Sequence, residues 1–266
     1  MRVHDWLIAG VVGLFISGCA GTQTAPSPET KAALAPTGKL RVAFITAVIY
    51  GMKDSATGEL KGVAVDLGKE LARRVGVPFD PVVYTGNPVL IGGAKSGEWD
   101  VALTGIVPER AAVMDFSAPY MELEHGYLVL AGVSIATVSD VDKPGVRVGV
   151  LERSGTDIHL SRTLKNATLV RTKSVAELFA LAEVGKADVI SIGKPGLFAI
   201  AAKQPGSRVL DGRILVEPIG MSVPKGRDAA AALYIGKFVE EAKADGLVRS
   251  AIERAGLRGV VVAPLK

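Results

Sequence analysis

Cysteine is almost missing from this chain: among 266 residues there is one, Cys19. An internal disulfide and a cysteine-rich metal centre are thereby excluded. Aromatic residues make up 5% of the chain, too few for a ligand cage built mainly of stacked rings. Histidine occurs three times, as His4, His125 and His159, and none stands beside a plausible second metal ligand. No P-loop or glycine-rich phosphate motif is present, and GVLERSG at 149–155 is not a nucleophile elbow. No cofactor, metal or catalytic set is therefore expected. The net charge is +4, but the basic residues are scattered, with no run of five or six. A nucleic-acid partner would want a clustered basic stripe, so none is expected. Beyond residue 19 there is no apolar run of about 20 residues, so no later membrane span is expected. What remains is ordinary globular composition, 48% hydrophobic and 22% charged, enough for one large domain or two smaller ones.

The lone cysteine is explained by its position. WLIAGVVGLFISGC at 6–19 is an apolar run behind Arg2 that ends in small residues before Cys19. It is too short for a comfortable span and fits a signal-peptide core, residues 1–18. Ile16-Ser17-Gly18-Cys19 resembles the bacterial lipobox, in which cleavage precedes the cysteine and the thiol is acylated. A second acyl chain matters because one alone holds a membrane only marginally. Residues 19–38 then read as lipidated Cys19 and a flexible Ala/Thr/Pro-rich tether. The expected product is a soluble domain anchored by lipid in the periplasm or cell envelope.

From residue 39 the chain alternates strands and helices. KLRVAFI (39–45), PFDPVVY (78–84) and DVALT (100–104) read as strands. VAVDLGKELARRVG (63–76) is a helix with Val63, Leu67, Leu71 and Val75 on one face and Gly76 as its stop. NPVLIGGAKSGEW (87–99) is a second helix. Such β-α-β-α-β order implies a parallel sheet with crossover helices. The pattern then restarts: strands at 146–153, 167–172 and 187–192 alternate with helices at 155–165, 174–185 and 194–203. HGYLVLAGV (125–133) and IGMSVPKG (219–226) read as two linking strands. The final amphipathic helices need a partner surface, which the first unit supplies. The expectation is a two-lobe α/β fold, with 39–128 and 219–266 as lobe one and 129–218 as lobe two.

GELKGVAVDLGKELARRVGV, KSGEWDVALTGIVPERAAVMDFSAPY, VRVGVLERSGT and IGMSVPKGRDAAAALYIGKFVEEAKADGLV together resemble bacterial extracellular solute-binding proteins of family 3, the polar amino-acid binders of ABC importers. The resemblance implies the type II periplasmic-binding-protein fold, two mainly parallel α/β lobes on a two-strand hinge. It also implies closure on a small solute, a permease partner in the inner membrane, and a monomer that is not an enzyme.

Anions are captured where strands end and helices begin, because unpaired N–H groups and the positive end of the helix lie there. Lobe one offers Thr104 and Gly105 at a strand end, and Arg110 in the turn that Pro108 opens. Lobe two offers Ser154, Gly155 and Thr156 between strand and helix. In the resembling family, places like Arg110 and Ser154/Thr156 hold the ligand's carboxylate, and Tyr50 falls where a ring often covers it. Bland alternatives stand beside each. Arg110 could pair with Glu109 or Asp115, and Ser154 and Thr156 could simply cap their helix. Thr104 could pack in its strand, and Tyr50 could belong to the lobe surface. DFSAPY (115–120) reads as fixing the loop that leads to the hinge.

The departures point the other way from amino acids. The family's ammonium-binding acid would fall after Asp188–Ile192, where this chain has Gly193 and then Lys194. A buried ammonium without its carboxylate costs several kcal/mol. With Arg110, Lys194 and no obvious acid in view, an anionic solute is expected. The rival reading is a periplasmic cyclohexadienyl (arogenate/prephenate) dehydratase of the same fold, with Arg110 as clamp and Glu109, Glu122 or Glu124 as acid. A module that senses ligand for a receptor is a further alternative.

Overall fold

The computed structural model describes residues 25–266. In chain order its elements are α1 (Pro28–Leu34), β1 (Leu40–Ile45), β2 (Met52–Lys53), β3 (Leu60–Lys61), α2 (Val63–Val75), β4 (Phe79–Tyr84), α3 (Asn87–Ser96), β5 (Val101–Gly105), α4 (Pro108–Ala111) and β6 (Met114–Val129). They continue with β7 (Arg147–Leu151), α5 (Gly155–Thr163), β8 (Thr168–Thr172), α6 (Val175–Glu183), β9 (Val189–Gly193), α7 (Lys194–Ala201), β10 (Arg208–Val209), β11 (Leu215–Pro224), α8 (Ala229–Ala244), α9 (Leu247–Arg254) and β12 (Val260–Val262).

One sheet runs through the molecule in the order β4-β1-β5-β11-β6-β9-β7-β8. β4, β1 and β5 are parallel in one lobe, and β8, β7 and β9 are parallel in the other. The antiparallel pair β6 and β11 lies between them and belongs to both. This is the type II arrangement of two α/β lobes on two linking strands.

Each lobe locks its first and third strands with the same device. The backbone and guanidinium of Arg41, on β1, donate to the Asp100 carboxylate just before β5. Arg147, on β7, does the same to Asp188 just before β9. Asp100 is fully buried and takes a second guanidinium from Arg227 at 3.0 Å, so its charge is compensated twice. The apolar period of α2 buries Val63, Leu67, Leu71 and Val75 against β1 and β4, and Gly76 ends the helix with φ 70. α8 and α9 pack back on lobe one, where α8 meets β6 and α9 meets α2.

Two sequence expectations are corrected. The sequence leads one to expect tether throughout 19–38, yet α1 is a folded element. Ser27 caps it by accepting from the Thr30 amide, Thr30 and Leu34 are buried, and the helix packs on α8. DFSAPY is expected to fix a loop leading to the hinge, yet it forms the first half of β6. Pro119 is tolerated there because the β6–β11 register shifts around Gly220, its partner, so the missing N–H breaks no regular ladder.

Candidate functional site

β5 ends at Gly105, and Pro108 opens the single turn α4 at once. The turn folds Arg110 back over the end of its own strand, where it is 2% exposed. Its Nη1 donates to the Gly105 carbonyl at 2.9 Å and lies 3.5 Å from Oε1 of Glu217. Its Nη2 donates to the carbonyl of Arg153, in the other lobe, at 2.9 Å. Arg153 adopts a left-handed backbone, φ 56, which costs a non-glycine residue about 1–2 kcal/mol. The Asp157 carboxylate accepts its amide at 2.8 Å and holds the turn.

Glu217 lies on β11 opposite Leu123 and is 6% exposed. Its Oε2 is 2.9 Å from Nε2 of His125, close enough for an ion pair but not aligned as a hydrogen bond. Nδ1 of His125 is 3.0 Å from the hydroxyl of Thr156 in α5. A Cβ on Gly105 or on Gly155 would overlap the Glu217 carboxylate, so this carboxylate is seated against both lobes. Burial pushes the Glu217 carboxyl up, but His125 and then Arg110 outweigh it and hold the pKa below the usual carboxylate range.

A cavity of about 390 Å³ opens between the lobes above this cluster. Lobe one contributes Ile45, Val48, Ile49 and Met52, and lobe two contributes Leu151, Val175, Phe179 and Ile192. Thr46, Thr85, Asn87 and Ser174 add uncharged polar groups. Tyr50 lines it too. Burial, and then the charge on Glu217, raise the Tyr50 phenol far above its ordinary value, and Thr104 and Gly105 lie at its hydroxyl. Among the described residues no group of three His, Cys, Asp or Glu could hold a metal ion, and no helix is long and apolar enough to cross a membrane.

Of the residues singled out in the sequence, Tyr50, Arg110, Ser154, Gly155, Thr156 and Gly193 line this cavity. Ser154 also caps α5, accepting from the Asp157 amide at 3.1 Å. Thr104 and Gly105 stand behind it, in β5. Lys194 does not reach it: its ammonium donates to Glu124 at 2.6 Å. Leu123 fills the space where a side chain on residue 193 would stand. Glu109 pairs with Arg162 across the lobes at 3.0 Å, so neither it nor Asp115 is the partner of Arg110. Cys19 lies outside the described residues.

The premise of the anionic expectation, an arginine with no acid nearby, does not hold, because Glu217 supplies the acid. Sequence reasoning missed both Glu217 and His125. The available signal was a single acid inside the otherwise apolar run ILVEPIGMSV (214–223).

The model of the bacterial extracellular solute-binding proteins, family 3, matches residues 40–255. A glutamine-binding protein of Geobacillus stearothermophilus is 26% identical over 217 residues, covering 78% of this chain and 81% of that protein. Among solved structures, a mutant of ArgBP from T. maritima is 26% identical with a TM-score of 0.74, covering 85% of this chain and 99% of its own. The ancestral amino acid-binding protein AncCDT-1, a precursor of cyclohexadienyl dehydratase, is 28% identical with a TM-score of 0.72, covering 85% and 98%.

Proposed function

The chain belongs to the bacterial extracellular solute-binding proteins, family 3, and from that premise we propose that it captures a small solute in the inter-lobe cavity and delivers it to the permease of an ABC importer. The observation that carries the reading is a cavity walled by both lobes over a guanidinium that bridges them. A solute touching both walls favours the closed arrangement by its differential contacts, which is the physical content of capture by closure. Tyr50, Arg110, Ser154, Gly155, Thr156 and Gly193 are the proposed ligand-facing residues. Residues 1–18 serve as signal peptide, Cys19 carries the lipid, and the domain works as a monomer in the cell envelope.

The dehydratase reading has less support, although AncCDT-1 shares the fold. A general acid in the cleft needs a carboxyl that keeps its proton near neutral pH. Among the described residues lining the cavity the only carboxylate is Glu217, whose pKa is shifted down. Glu124 is paired with Lys194 and Arg213, and Glu109 with Arg162.

A thermal-shift screen of small metabolites tests the proposal, because a ligand of the folded state raises the Tm by mass action. The control is Ala176→Trp, which places an indole in the cleft from an exposed position on α6. Hits should lose their effect in that variant. Hits that persist undiminished there would place binding elsewhere and overturn the proposal.

A further inference from the structure

We propose that Glu217 is a built-in occupant of the cleft's carboxylate seat, and that the solute is an uncharged, mainly apolar molecule. The inference rests on the cleft reading above and goes further in naming the ligand class. Arg110 and the first turn of α5 together make the place where an incoming carboxylate would dock, with a buried guanidinium on one side and helix N–H groups on the other. The Glu217 carboxylate already stands there. It lies 3.5 Å from Arg110, and its atoms come within 2.6–2.7 Å of where a Cβ on Gly155 would be. The side chain is delivered by a strand paired to β6, so it does not leave as a bound ion would.

A second carboxylate at this floor would have to share one guanidinium with Glu217, and two like charges in a buried site repel strongly. An ammonium fares no better, because no other carboxylate is found among the described residues of the lining. Lys203, the remaining cation of the lining, is exposed to solvent. An α-amino acid would thus bring two charges to a cavity that answers neither. The walls instead present aliphatic carbons and a phenyl ring, with Thr46, Thr85, Asn87 and Ser174 for one neutral polar group. A cavity of 390 Å³ with mainly apolar walls and a few hydrogen-bonding groups is the usual shape of a site for such molecules.

The test uses the purified full chain with two kinds of probe. The uncharged fluorophore N-phenyl-1-naphthylamine should bind the wild type with enhanced fluorescence, lose that enhancement in Ala176→Trp, and be left undisturbed by L-glutamine, L-arginine or isovalerate. Glu217→Ala empties the seat beside Arg110. Saturating isovalerate should then raise its Tm by about 5 °C while leaving the wild type unmoved, and isovaleramide should not substitute for it. Stabilisation of the wild type by isovalerate or by either amino acid would overturn the inference, and loss of that effect in Ala176→Trp would show that the cleft reading survives. Equal indifference of wild type and Glu217→Ala to isovalerate would also overturn it. If fluorescence is the same in Ala176→Trp, the cleft reading fails, and the Glu217→Ala comparison still decides the identity of the seat. The wild-type arm stands even if Glu217→Ala does not fold.

Discussion

Arg110 and Glu217 are each costly to bury and tolerable only together. Arg110→Ala would leave a buried carboxylate without its guanidinium, with the His125 imidazole 2.9 Å away as its remaining polar partner. A loss of about 3–5 kcal/mol is expected in denaturant unfolding. Adding Glu217→Gln to that variant should recover part of it, and the non-additivity of the cycle measures the pair. Acid should act on the same group. The native pKa of Glu217 lies below the ordinary value of 4.5, so the native state binds the proton less readily than the unfolded chain does. Its contribution is present in full above about pH 4.5 and drains away as pH falls toward the lower native value. Glu70, held down to about 2 first by Arg73, acts in the same window, but it is partly exposed and screening shrinks its share. A plot of Tm against pH for wild type minus Glu217→Gln should therefore converge as the solution is acidified. A difference that stays constant from neutral to acid pH would contradict the assignment. At this scale the sequence was informative about Arg110, because an apolar strand followed by Pro108 announces a helix start. For Glu217 it offered only a lone acid in an apolar run, and for His125 nothing, because their partners are brought in by strand pairing across distant stretches of chain.

The elements were largely readable where periodicity and punctuation agree. α2 shows apolar residues at helical spacing, and its boundaries fall at two glycines. The entry glycine is required. Gly62 has φ 146, and a Cβ there would overlap the Tyr50 carbonyl, which accepts the Ala64 amide at 2.8 Å. Gly62→Ala should lower stability by about 2 kcal/mol through backbone strain and should shift Tyr50 in the cavity wall. Urea unfolding checks the first effect, and tyrosine fluorescence the second. Where punctuation misled, a tertiary contact was the reason. DFSAPY carries turn-forming residues yet runs as a strand, because β11 pairs with it on one side and buries Tyr120. The Ala- and Pro-rich stretch before residue 38 looks like linker, and only the surface of α8 makes α1 a helix worth forming.

For the molecule as a whole, the repeat of strand–helix units was visible in the sequence, but the closeness of the lobes was not. Gly86, before α3, presses on the Lys173 carbonyl just ahead of α6, and a Cβ would overlap it. Its φ of −166 is ordinary extended backbone, so alanine there strains nothing within lobe one. Gly86→Ala should prop the lobes apart. The radius of gyration in solution scattering should rise and solute affinity should fall, while the urea midpoint stays nearly unchanged. A lower midpoint with an unaltered scattering profile would contradict this account.

The docking of α1 also sets a leash. The Lys31 ammonium donates to the Gly76 carbonyl at 2.9 Å, and Leu34 is fully buried, so the chain is moored to lobe one from Pro28 onward. Under the proposed acylation of Cys19, the nine residues Cys19–Ser27 would be all the chain between that mooring and the lipid, a reach of about 30 Å at full stretch. A molecule tied so short would patrol a thin layer over the bilayer. Its meeting with the proposed membrane-embedded permease would then be a search in two dimensions at high local concentration.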